Sequence, residues 1–143
     1  MHEAGLTVLV VEDEPIIRFT LTDVLEEAGY TVLEASNVLE AVAIIGKVHT
    51  ISAVVTDIDM PGGLSGIDLV HMLDTCQQHI SVIVTSGGHA PDTLHLPADA
   101  RFFSKPYHFD DIFFALRAGI AAKAKSASRK RLSRSGGWQL GHP

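Results

Sequence analysis

Six consecutive residues, Leu6-Thr7-Val8-Leu9-Val10-Val11, hold one polar side chain among them and run directly into Glu12-Asp13-Glu14-Pro15. A valine-rich run apolar on both of its alternating faces reads as a strand that must be covered on both sides, the condition met in a parallel sheet packed between helices. Proline suits the first helical turn. Beyond Pro15, the residues Ile17, Leu21, Val24, Leu25 and Ala28 fall at i, i+4, i+7, i+8 and i+11, one apolar stripe of a helix that Gly29 ends.

The alternation continues. Thr31 to Ala35 predicts a second strand, Asn37 caps a helix carrying Ala41, Ile44, Ile45 and Val48, and Ser52 to Thr56 predicts a third strand entering Asp57. A Pro61-Gly62-Gly63 turn precedes a helix at about residues 66–76 with Leu69, Val70 and Leu73 inward. Ser81 to Ser86 and Arg101 to Ser104 predict two more strands, and a last helix from Phe109 turns Ile112, Phe113, Leu116 and Ile120 inward. Strands alternating with helices imply a parallel α/β sheet with right-handed crossovers. The connection between the last two strands breaks the pattern: with Gly87-Gly88, Pro91 and Pro97 it has room for about one helical turn. It is expected to be mobile over 87–99 and to order on activation or partner binding.

With 143 residues and 46% hydrophobic composition, one packed domain is expected, with no room for separate catalytic and output domains. The single cysteine, Cys76, excludes a disulfide framework and a multi-cysteine metal site, and reads as a small structural hydrophobe. The eight histidines show no metal-ligand spacing. No run approaches the roughly 18 apolar residues of a membrane span, and the N-terminus lacks a signal-peptide pattern, so a cytoplasmic location is expected. Charge divides the chain. Four basic and 17 acidic residues leave positions 1–116 at −13, whereas 117–143 hold seven Lys or Arg and no acid, +7. The expected division is a domain over 1–122 and a basic, disordered tail over 123–143 without apolar periodicity.

In open α/β sheets, ligands bind beyond the carboxyl ends of the strands. Here Glu12 and Asp13 follow the first strand, Asp57 the third, Ser86 the fourth and Lys105 the fifth. Converging carboxylates repel one another unless a cation sits among them, and an all-oxygen donor set with room for water suits Mg²⁺. Lys105 adds a compact positive charge suited to a phosphoryl group. The simpler account of Glu12 and Asp13, carboxylates favoured by a helix N-terminus, explains either one but not both opposite Asp57.

Four motifs, Val-Leu-Val-Val-Glu12-Asp13-Glu, Val-Val-Thr-Asp57-Ile-Asp-Met-Pro61-Gly, Val-Ile-Val-Thr-Ser86-Gly87 and Lys105-Pro106-Tyr107, in this order, resemble the receiver domain of bacterial two-component response regulators over about residues 5–121. The resemblance implies a flavodoxin-like, doubly wound five-stranded sheet of order 2-1-3-4-5 with a short or irregular fourth helix. It implies a phosphoacceptor, not a separate enzyme, in which Asp57 takes a phosphoryl group from a histidine kinase or histidine phosphotransfer protein. Asp13 and Asp57 would bind Mg²⁺ with the main-chain carbonyl of Asp59, and Glu12 would hold a metal-bound water. Ser86 and Lys105 would bind the phosphoryl oxygens, and Phe102 would swing in concert with Ser86. Thr85 competes with Ser86 for this role, and the parity of a strand buried on both faces does not separate them; the family pattern, in which the residue precedes a small one such as Gly87, selects Ser86. The expected whole is a stand-alone regulator, monomeric or dimerising on phosphorylation, that switches an unknown downstream protein and does not bind DNA specifically.

Two other readings compete. Asp57-Ile58-Asp59-Met60 resembles the nucleophile loop of haloacid-dehalogenase phosphatases, but Met60 breaks its fourth position and that loop normally follows the first strand. The basic tail alternatively serves as a binder of an anionic partner.

Overall fold

The computed structural model describes residues 5–60, 62–88 and 93–140, with side chains described through Lys130. Five strands, β1 (Thr7–Val11), β2 (Thr31–Ala35), β3 (Ile51–Asp57), β4 (Ser81–Ser86) and β5 (Arg101–Ser104), form one parallel sheet in the order β2-β1-β3-β4-β5. The flavodoxin-like order 2-1-3-4-5 is therefore present. Four helices accompany it: α1 (Pro15–Glu27), α2 (Val38–Lys47), α3 (Gly66–Cys76) and α4 (Phe109–Leu140).

Side-chain alternation divides the sheet into two cores. Leu9, Val11, Val54, Val82 and Val84 point to the side of α2 and α3, where they meet Ala41, Ile45, Leu69, Val70 and Leu73. Val8, Val10, Ala53, Val55 and Ile83 point to the other side, against Leu21 and Leu25 of α1 and Ile112, Ala115 and Leu116 of α4. The strands are apolar on both faces because both are covered.

Local chemistry sets the helix starts. Asn37 accepts a hydrogen bond from Glu40 N–H at 2.8 Å at the start of α2, and Ser65 opens α3 with a reciprocal capping box to Asp68. α1 begins on Pro15 without a side-chain cap.

Three expectations need correction. Ile17 does not join the α1 core stripe; it is half-buried and lines a groove with Pro106, Tyr107 and Phe109, while Thr22 is buried in α1 beside Leu21 and Leu25. Cys76 is exposed at the end of α3 rather than packed. The segment from Lys123, expected to be disordered, continues α4 to Leu140. The sequence from Ala121 to Arg134 is rich in Ala, Lys and Arg, and neither Gly nor Pro interrupts it before Gly136. Its missing apolar period means only that it carries no regular apolar stripe.

Between β4 and β5, no α-helix occurs among the described residues. Leu94, Leu96 and Ala100 pack on the α2/α3 side of the core in its place. Residues 89–92, part of the 87–99 segment expected to order on activation, lie outside the described residues, as do the side chains of Trp138 and Leu140.

Candidate functional site

The strand ends bring four of the anticipated residues together. Glu12 directly follows β1, with 4% of its surface exposed, and Asp57 closes β3, with 5% exposed. One oxygen from each of Glu12, Asp13 and Asp57 lies within 4.8 Å of the others. Lys105, one residue past β5, places Nζ 2.9 Å from Glu12 Oε1 and 3.1 Å from Asp57 Oδ2. Its main-chain N–H donates to the Ser86 carbonyl at 2.9 Å, which fixes the end of β5 against the end of β4.

The remaining contacts set the orientation of each group. Glu12 Oε2 accepts from Glu14 N–H at 3.2 Å, and the Glu12 carbonyl accepts from Arg18 Nη1 at 2.8 Å. Asp57 Oδ1 accepts a long bond, 3.4 Å, from Asp59 N–H. Gly66 has to be glycine: a Cβ there would collide with the Asp57 carbonyl, because the first turn of α3 lies against the end of β3. The loop between them turns through Gly62, whose φ of 115° also favours glycine.

Asp59 behaves differently from the other acids. It is exposed and outside the clustered carboxylates, and its Oδ2 accepts from Ser86 Oγ at 3.1 Å. The Ser86 hydroxyl also accepts from Gly88 N–H at 3.2 Å. Sequence reasoning placed Ser86 and Asp59 at neighbouring strand ends but carried no signal for this pair. Ser86 shares strand parity with Val82 and Val84, and Phe102, paired in register with Val84, packs on the same α2/α3 side. Thr85 shares parity with Ile83 and the α1/α4 side. The two candidates thus stand on opposite faces, and Ser86 is on the face of Phe102.

Burial raises the Asp57 and Glu12 carboxyls above the ordinary carboxylate range, against the lowering effect of their bonds to Lys105. Burial pulls the Lys105 ammonium down, but its bonds to Glu12 and Asp57 outweigh that and hold it at about 12. One ammonium among three carboxylates leaves the crevice net negative. Three hard oxygen donors that converge with a charge deficit fit Mg²⁺.

The family model described as "Response regulator receiver domain" matches residues 8–117. The chain is 38% identical over 106 residues to the sensor kinase CckA of Brucella abortus, which covers 72% of this chain but 11% of that protein. It is 27% identical over 120 residues to sporulation initiation phosphotransferase F of Bacillus subtilis, covering 82% of this chain and 95% of the relative. Among solved structures, the response regulator TrrA of Thermotoga maritima, determined in complex with Mg²⁺ and BeF, matches with a TM-score of 0.69 and 27% identity over 80% of this chain and 98% of that one. No described helix is long and apolar enough to cross a membrane.

Proposed function

The chain belongs to the response regulator receiver family, and from that membership we propose that Asp57 accepts a phosphoryl group from the phosphohistidine of a histidine kinase or histidine phosphotransfer protein. Receivers are phosphorylated on aspartate in two-component signalling, and they are signalling domains rather than separate catalytic ones. The observation that supports Asp57 as the acceptor is its position: 5% exposed at the end of β3, clustered with Glu12 and Asp13, with Lys105 Nζ at 3.1 Å.

In the proposed step, an Asp57 carboxylate oxygen forms a bond to phosphorus as the P–N bond to the donor imidazole breaks, and the electron pair stays on the imidazole nitrogen. The transition state is loose, so positioning and charge neutralisation supply most of the acceleration. Glu12, Asp13 and Asp57, with the Asp59 main-chain carbonyl, would hold Mg²⁺, which when bound supplies positive charge against the phosphoryl oxygens. The likeness to TrrA, solved with Mg²⁺ and BeF, supports a Mg²⁺ site in this chain, and the clustering of Glu12, Asp13 and Asp57 supports these residues as its holders. Lys105 moves its ammonium from the two carboxylates to a phosphoryl oxygen. Ser86 leaves Asp59 and donates to another, and Phe102 follows it on the same face. That rearrangement is the switch that alters the binding of a downstream protein or of a second copy.

The apolar groove of about 390 Å³ lined by Ile16, Ile17, Pro106, Tyr107 and Phe109 shares Lys105 with this site. A protein donor can seat beside Asp57 there, and Ile16 is 81% exposed to meet it. The match to sporulation initiation phosphotransferase F, over 95% of that protein, supports a phosphotransfer role for this receiver. Transfer of label from phosphohistidine donors tests the reading. Wild type gains one phosphoryl group and Asp57→Asn gains none; label persisting in Asp57→Asn moves the acceptor elsewhere.

A further inference from the structure

At the end of the sheet opposite Asp57, the starts of β4 and β5 and one face of α4 enclose a cleft of about 480 Å³. From α4 it is lined by Gly119, Ala122, Lys123, Ser126, Ala127 and Lys130, a spacing of three and four that makes one helical stripe. Small residues on this stripe create the space. At Gly119 the helix approaches β4 so closely that a Cβ would collide with Ser81 Oγ; farther along, Ala122, Ser126 and Ala127 leave the opening.

Cations occupy both walls. Arg101 opens β5 on one side, and Lys123 and Lys130 project from α4 on the other. Lys123 is tied to Asp99 at 3.1 Å, with 20% of its side chain exposed. Arg101 and Lys130 have no ion-pair partner among the described residues. Among the described residues that line the cleft, Asp99 is the one carboxylate, so three cations face one anion. Ser81 of β4 and Ser126 of α4 add hydroxyl groups to the lining.

We propose that this cleft binds a small phosphate-bearing anion, of the size of a nucleoside diphosphate, with Arg101 and Lys130 gripping the phosphate oxygens from opposite walls. Guanidinium matches two phosphate oxygens at once, and the volume falls within the range of small-ligand sites. A nucleic acid is the weaker fit, because the cations converge from two elements across a concavity. On a convex helix that tracks a backbone they would diverge. The proposal does not depend on Asp57 being a phosphoacceptor.

Calorimetry and amide NMR of the full chain at low ionic strength with EDTA test it, using inorganic phosphate, pyrophosphate and ADP as probes. The expected result is saturable binding of at least one probe, with shifts at the Ser81, Arg101 and Gly119 amides. Arg101→Gln and Lys130→Gln should each weaken it about tenfold, as expected for loss of one charge-assisted contact. Lys125→Gln, the same charge change outside the cleft, should leave affinity within about twofold. Lys130 is on an exposed helix surface, so its variant tests the site even where Arg101→Gln fails to fold. ADP preferred over inorganic phosphate supports an organic diphosphate, and equal affinity supports recognition of the phosphate group itself. Absence of saturable binding of all three probes overturns the proposal. So does equal weakening by Lys125→Gln, or tighter binding to a short DNA duplex that is lost on substituting Lys125 and Arg129 instead of Arg101.

Discussion

Lys105 holds two buried carboxylates with one ammonium, at 2.9 Å and 3.1 Å, and Asp13 stands within the same cluster without adding a cation. Removing the lysine leaves two buried negative charges uncompensated, whereas removing Asp13 relieves repulsion. Lys105→Ala should therefore destabilise the metal-free protein by about 2 kcal/mol in urea unfolding, and Mg²⁺ should restore much of that loss. Asp13→Asn should do the reverse, stabilising the metal-free protein by about 1 kcal/mol. It should also abolish most of the Mg²⁺ increment, which for wild type is about 1.4 kcal/mol at tenfold the dissociation constant. A stabilised Lys105→Ala, or an Asp13→Asn protein with an unchanged Mg²⁺ increment, would contradict these assignments.

The elements explain why the crevice has its shape. α3 can begin against the end of β3 only because residue 66 lacks a side chain, so Gly66→Ala must displace either the helix start or the Asp57 carbonyl. Thermal unfolding should register about 1–3 kcal/mol of destabilisation, with slower phosphorylation of Asp57; an unchanged melting curve would show that the loop absorbs the methyl freely. Apolar runs located every strand within a residue or two, and the polar residue ending each run marked Glu12, Asp57, Ser86 and Lys105 as neighbours. Side-chain direction past a strand end was not legible. It depends on the 59–65 loop, where Gly62 takes a left-handed conformation and Asp59 turns away from the cluster to Ser86. Nor could periodicity tell the Ser86 face from the Thr85 face of a strand covered on both sides; the two cores, one holding Phe102 and the other Ile83, make that distinction. The course of α4 past Lys123 was missed because amphipathicity reports packing, and this stretch is helical through its alanine and lysine content.

Across the molecule, protons and Mg²⁺ compete for the same carboxylates. Glu12 and Asp57 are raised in the folded protein, so the folded state binds protons more tightly than the unfolded one. Their cost to stability is fully present above the raised values and is relieved as pH falls through them toward 4.5 and 3.8. The Mg²⁺ increment in melting temperature should accordingly be greatest near neutral pH and fade across that acidic window; an increment independent of pH would place the metal elsewhere. The central claim concerns one oxygen-bearing side chain at the end of β3, and peptide mapping of the protein treated with acetyl phosphate and Mg²⁺ tests it most directly. The account predicts one acid-labile phosphoryl group on the peptide containing Asp57, absent when Mg²⁺ is withheld. A phosphoryl group on any other residue, or none at all in a folded protein that binds Mg²⁺, would contradict it.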